Sequence, residues 1–156
     1  MKFSAKVRLG FLALVTAASA FAVVPAGAST GDAATIAGSG TISPGLTTTP
    51  TAQSITFSGN GAGTIGGVTG SYSCTVNGND PAGTVQQGSG AVNGNCNTPC
   101  GSVSVSGSFS RTGATVTGSV TVNAGCLINH VIAIICNFVP TSGPTVTSYA
   151  LICHLS

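Results

Sequence analysis

From Ser29 to its C-terminus this chain has no lysine and no glutamate, and nowhere in its 156 residues is there a tryptophan. Over that stretch the charged side chains are Asp32, Asp80 and Arg111, and the imidazoles are His130 and His154. A nucleic-acid surface needs several cations to neutralise phosphates, and a polybasic membrane patch needs a similar cluster, so both partner classes are excluded. Catalytic groups are equally scarce. Glycoside hydrolysis takes two carboxylates across a cleft, and Asp32 and Asp80 are the only two present. A Ser-His-Asp arrangement would need one of them to orient a histidine, yet both fall in Gly/Pro-rich connections, and no G-x-S-x-G nucleophile elbow occurs. The string GAGTIG, Gly61 to Gly66, has the spacing of a dinucleotide fingerprint, but a strand pattern rather than a helix follows it at Val68 to Tyr72, so it reads as turn glycine. The expectation is a protein that is not an enzyme and carries no cofactor.

The positive charge that does exist sits at the front. Lys2, Lys6 and Arg8 precede an apolar run, Phe11 to Val24, and Pro25 then leads into Ala26-Gly27-Ala28. This is the pattern of a secretory signal peptide over residues 1–28, cut after Ala28, and its apolar run of 14 residues is short of the roughly 20 that span a bilayer. Removing Lys2, Lys6 and Arg8 turns the formal charge from +2 to −1, so the basic balance belongs to the leader. The expected product is one secreted domain over 29–156, extracellular or wall-associated, with no integral membrane span.

What is abundant is Gly, Ser, Thr and Val. The stretch SVSVSGSFSRTGATVTGSVTVN, Ser102 to Asn123, alternates apolar and hydroxyl residues, and folding it at Thr112-Gly113 opposes Val103 with Val122, Val105 with Val120, Gly107 with Gly118 and Phe109 with Val116. A shift of 48 lays Ile55 to Cys74 over Val103 to Val122 with seven of twenty positions identical, so the hairpin occurs twice, and a fold-back of the earlier copy opposes Gly59 with Gly70. Further strands are expected near Thr35 to Ile42, Thr84 to Val92, Leu127 to Val139 and Thr145 to His154. Ser43 to Thr51, Asn77 to Gly83 and Asn93 to Gly101 read as loops. Mid-strand glycines mark places where a sheet bends sharply. The fold class is therefore all-β: a single antiparallel barrel or closed sandwich of about eight hairpin-connected strands, stapled by disulfides.

Cys74, Cys96, Cys100, Cys126, Cys136 and Cys153 all follow the leader, and an even count in an exported chain predicts three disulfides. Cys136 pairs with Cys153 because a hairpin brings the last two strands together. Cys96 with Cys100, closing the CNTPC loop, and Cys74 with Cys126 complete the expected set. A metal site is not expected, since no CxxC spacing occurs and carboxylates to orient the histidines are nearly absent. His130 is expected hydrogen-bonded inside or beside the core, and His154, next to Cys153, on the opposite face of its strand.

The segment Leu127 to Val139 breaks the two-faced rule. One face carries Ile128, His130, Ile132, Ile134 and Phe138, the other Leu127, Val131, Ala133, Ile135 and Val139. Either both faces are covered or the second is an apolar patch for self-association or for an apolar cell-envelope partner.

The leader, this composition and phrases such as IAGSGTISPGLTTTP resemble small secreted β-proteins of actinobacteria. CNTPC in a charge-poor β-chain is also similar to the short disulfide loops of neocarzinostatin-type apoproteins, a resemblance that implies a carrier of an apolar chromophore, though six cysteines and the lack of tryptophan depart from that pattern. Two functional readings follow: an extracellular interaction module, or a carrier of an apolar small molecule in the barrel or sandwich interior.

Overall fold

The computed structural model describes residues 31–156. The expected leader lies outside the described residues. Eight strands run in chain order: β1 (Ala33–Leu46), β2 (Thr51–Ile65), β3 (Val68–Gly83), β4 (Gln87–Thr98), β5 (Gly101–Thr112), β6 (Thr115–Ala124), β7 (Val131–Pro140) and β8 (Val146–Leu155). Each pairs antiparallel with the next, and β8 returns to β1, closing a barrel. Closure removes the unpaired edges that an open sheet of hydroxyl-rich strands would present to other chains.

Alternation explains the two surfaces. Along β5, Val103, Val105 and Arg111 point inward and are buried, while Ser102, Ser108, Ser110 and Thr112 are exposed. The outer wall of β1 to β6 is accordingly Ser, Thr, Asn and Ala, and it lacks the apolar band that a membrane-spanning barrel turns toward lipid. Among the described residues no helix is long and apolar enough to cross a membrane.

The hairpins are slipped relative to the simplest folding of the sequence. In β5–β6, Val105 pairs with Val122, Gly107 with Val120, Phe109 with Gly118 and Arg111 with Val116, so the loop is Gly113-Ala114 and the Gly107–Gly118 pairing does not form. Gly113 takes φ +57°, which suits the first position of a two-residue hairpin loop. The slip is by two residues, the strand period, so every side chain keeps its expected face. In β2–β3 the loop is Gly66-Gly67, with φ +56° and +79°, and Gly59 faces Cys74 instead of Gly70. Gly59 still serves the interior: a Cβ there would meet the Phe57 ring at 2.6 Å.

Three expected loops shorten or vanish. Asn77 to Gly83 is the second half of β3, β1 continues to Leu46, and β4 reaches Thr98. Conversely, Leu127 to His130 is an irregular connection, and β7 begins only at Val131.

Three disulfides join Cys74–Cys96, Cys100–Cys126 and Cys136–Cys153. Cys136 and Cys153 are directly opposed on β7 and β8, as expected. The other two expected pairs are replaced. Cys96 faces inward on β4 opposite Cys74 on β3, whereas Cys100 is an exposed turn residue beyond the end of β4, so Cys96 and Cys100 do not close CNTPC on itself. Cys100 instead bridges the open end of the β5–β6 hairpin to Cys126. Three such bridges point to an oxidising compartment.

The buried side chains fall into two clusters. One, toward the end holding Asp32, includes Ile36, Tyr72, Val103, Val122, Leu127 and Ile132. The other, toward the end holding Arg111, includes Ile42, Leu46, Phe138, Val146 and Tyr149. Phe138 and Tyr149 stack with ring centroids 5.1 Å apart, and the Tyr149 hydroxyl donates to Thr56 O at 2.6 Å. Burial pushes the Tyr149 phenol well above its ordinary range, and Tyr72 is raised by burial as well, with the Asp32 charge adding to the rise against an opposing backbone hydrogen bond. Both folded-state values exceed the unfolded one, so the stabilisation is fully present below the unfolded value, about pH 10, and is lost as pH rises through the raised folded values. Since these are the only two tyrosines, tyrosinate absorbance is expected to stay flat above pH 10 until the barrel unfolds, and then to rise in step with loss of β circular dichroism. Titration near pH 10 with the barrel intact would contradict their burial.

Candidate functional site

The site is the barrel interior and the two devices that close its ends. Between the clusters runs a cavity of about 180 Å³, lined almost entirely by apolar atoms. It exists because the waist of the barrel is built from small inward residues: Gly78, Val92 and Gly118 face it where larger side chains would fill an eight-stranded interior. Asp80 and Arg111 border it at one end.

That end is welded by buried polar groups. Arg111 is 5 % exposed; its Nη1 donates to Val85 O and Gly113 O at 3.1 Å each, its Nη2 donates to Thr84 O, and its guanidinium lies 5.0 Å from the Phe138 ring centroid. Burial lowers the Arg111 pKa and the facing Asp80 carboxylate opposes that; arginine stays charged in either case. Asp80, itself buried, accepts from Ala82 N at 3.1 Å. Gln53 is buried too and holds both backbone groups of Gly45, at 3.0 Å each. Val85 N donates to Thr47 O and Gly113 N to Gln86 O, which ties together three of the four connections at this end.

At the opposite end an apolar side chain from a loop joins the buried cluster. Leu127, 9 % exposed, turns from the β6–β7 connection into the interior and lines the cavity. His130 Nε2 donates to Asp32 Oδ2 at 2.6 Å, and Asp32 Oδ1 accepts from Gly66 N at 2.8 Å, so one carboxylate clips the connection to the start of β1 and to the β2–β3 turn. The Asp32 side chain is 2 % exposed and that of His130 20 %. His130 thus takes its place beside the core, oriented by a carboxylate that lies far away in sequence. His154 is exposed, with Nδ1 3.3 Å from Thr35 Oγ1, and does not join it. Among the described residues no group of three or more His, Cys, Asp or Glu converges.

The expected apolar surface on residues 127–139 is only partly assembled. Leu127 belongs to the core and Ile128, expected on the inner face, is 58 % exposed, because the chain is irregular there and strand alternation does not apply. Val131 and Val139 are 55 % and 46 % exposed on the outer wall, with Ala133 and Ile135 half-buried between them. Ile152 of β8, 49 % exposed and paired with Asn137, extends the strip, a neighbour that only the β7–β8 register reveals.

Neither a family model, nor a curated protein, nor a solved structure matches this chain.

Proposed function

We propose that this chain is a secreted, non-enzymatic binding domain that holds one small, neutral, apolar molecule inside the barrel. The observation that carries the reading is the apolar cavity of about 180 Å³ within a closed barrel. A dry apolar cavity of about 150 Å³ takes up benzene, so this volume suits a guest of one ring or a short branched chain. Neutrality follows from the end of the cavity, where Arg111 is already occupied by three carbonyls and balanced by Asp80; a second buried charge would have no partner. Secretion is supported by the leader pattern and the three disulfides. A binding rather than a catalytic role is supported by the separation of the charged groups, with Asp32 and His130 clasped at one end and Asp80 and Arg111 at the other.

The test uses toluene as probe. Saturating toluene is expected to raise the melting temperature of the wild-type domain, because a ligand that binds only the folded state stabilises it by mass action. Val92→Phe, which fills the cavity from β4, is expected to fold and to lose that shift. No shift in the wild type, or an equal shift in Val92→Phe, would refute an interior site.

A further inference from the structure

We propose that the way into this cavity is a redox-controlled door: the connection Gly125 to His130, with Leu127 as the plug and the Cys100–Cys126 disulfide as its bolt. The inference deepens the carrier reading and rests on it. Three observations carry it.

The two ends of the barrel differ in what opening would expose. Withdrawing the cap at the Arg111 end would strand buried Gln53, Asp80, Thr84 and Arg111 without their partners. Withdrawing the connection at the other end moves one aliphatic side chain, Leu127, and releases one buried polar contact, His130 Nε2 to Asp32 Oδ2, while Asp32 keeps its second bond from Gly66 N. The connection around Leu127 is otherwise at the surface: Gly125, Cys126, Ile128 and Asn129 are all exposed, and Asn129 sits at φ +67° in a tight local turn.

The bolt also differs from the other two bridges. Cys100 and Cys126 are both exposed, while Cys74, Cys136 and Cys153 are buried and Cys96 is half-buried between paired strands. Thiol–disulfide exchange requires in-line access of a thiolate to sulfur, so an external dithiol reaches Cys100–Cys126 first. One thiolate of the dithiol attacks a bridge sulfur, a mixed disulfide forms as the other cysteine leaves, and the second thiol resolves it. The bridge gains two electrons and two protons as Cys100 and Cys126 become thiols, and the dithiol becomes a disulfide.

Finally, the bolt sits immediately beside the plug. Cys126 precedes Leu127, and Cys100 anchors it to the β4–β5 turn at the same end of the barrel. After reduction, the connection is retained by the His130–Asp32 contact and by Asn129 N to Val122 O, Val122 N to His130 O and His130 N to Leu127 O, four local bonds at a solvent-facing edge.

The experiment measures toluene exchange by NMR in the full domain before and after mild treatment with dithiothreitol, with alkylation and peptide mapping to identify the opened bridge. Reduction at Cys100 and Cys126 alone is expected to speed exchange by roughly tenfold or more while affinity stays within roughly threefold, the signature of a gate as opposed to a remodelled site. Cys100→Ser/Cys126→Ser should reproduce the fast exchange, and Leu127→Ala with the bridge intact should be fast and insensitive to reduction. Hydrogen exchange at the Asn129 and His130 amides supplies a readout without ligand and should accelerate on reduction well beyond those β5 and β6 interior amides that pair only within the sheet, which change by no more than the loss of global stability. Unchanged toluene exchange or unchanged protection of the Asn129 and His130 amides overturns the door. Toluene binding to neither form removes the carrier reading instead, and the amide protection alone then decides whether the connection is released.

Discussion

Arg111→Met is expected to destabilise the barrel by about 3–5 kcal/mol, the range for removing one partner from a buried charged network. The size follows from what the substitution leaves behind. Thr84 O, Val85 O and Gly113 O lose their donor, and Asp80, 4 % exposed, keeps a carboxylate with no cation facing it. Methionine has a similar length and retains contact with Phe138, so lost packing is a minor part of the effect. Urea unfolding of the single variant, Asp80→Asn and the double variant forms a cycle that isolates the pair. The double variant is expected to lose less than the sum of the two single losses, by about 0.5–3 kcal/mol, because removing both charges spares Asp80 its stranded state. A loss under about 1 kcal/mol for Arg111→Met would mean that water reaches those carbonyls and that this end is not sealed.

The same residue illustrates what is legible in such a chain. The alternation around it placed Arg111 on the Val103–Val105–Phe109 face, but a lone arginine on an apolar stripe gives no hint that three carbonyls wait for it. Those carbonyls belong to Thr84, Val85 and Gly113, in two connections whose meeting is set by barrel closure. Strand number, two-faced walls and the Cys136–Cys153 bridge are readable because period-two patterning and the Pro- and Gly-bearing turn PTSGP, Pro140 to Pro144, are local signals. The Cys74–Cys96 bridge was hidden by one misplaced turn. Asn77 to Gly83 has turn composition, yet it continues as strand, and the true turn is at Thr84 to Gln86. Cys74 and Cys96 lie symmetrically about Val85, so moving the turn pairs them at once. The Asp32–His130 clasp has no such local signal, since it joins residues 98 apart in sequence through the β1–β8 closure and the β6–β7 connection. Leu127 departs from strand alternation for a related reason: it lies before β7, in a segment that is not a strand.

Bridge chemistry separates the two inner disulfides from the outer one in stability as well as in access. Cys74–Cys96 and Cys136–Cys153 close loops with separations of 22 and 17 residues, worth about 3 kcal/mol each on the chain-entropy model. Together they approach the whole net stability of a small domain, roughly 5–15 kcal/mol. Full reduction is therefore expected to unfold the barrel at 37 °C. Reduction of Cys100–Cys126 alone, which has a separation of 26 residues, should lower stability by a similar single increment and leave two bridges holding the fold. A dithiol titration followed by alkylation and circular dichroism should give two steps: two cysteines labelled with the β signal intact, then the remaining four labelled as that signal is lost. The second step is expected to coincide with unfolding because Cys74, Cys136 and Cys153 are buried and the half-buried Cys96 faces inward opposite Cys74, so a reductant reaches both bridges through global opening. Six labelled thiols in a barrel that keeps its β signal would show that the hydroxyl-walled sheet stands without its staples and would overturn the two-step expectation.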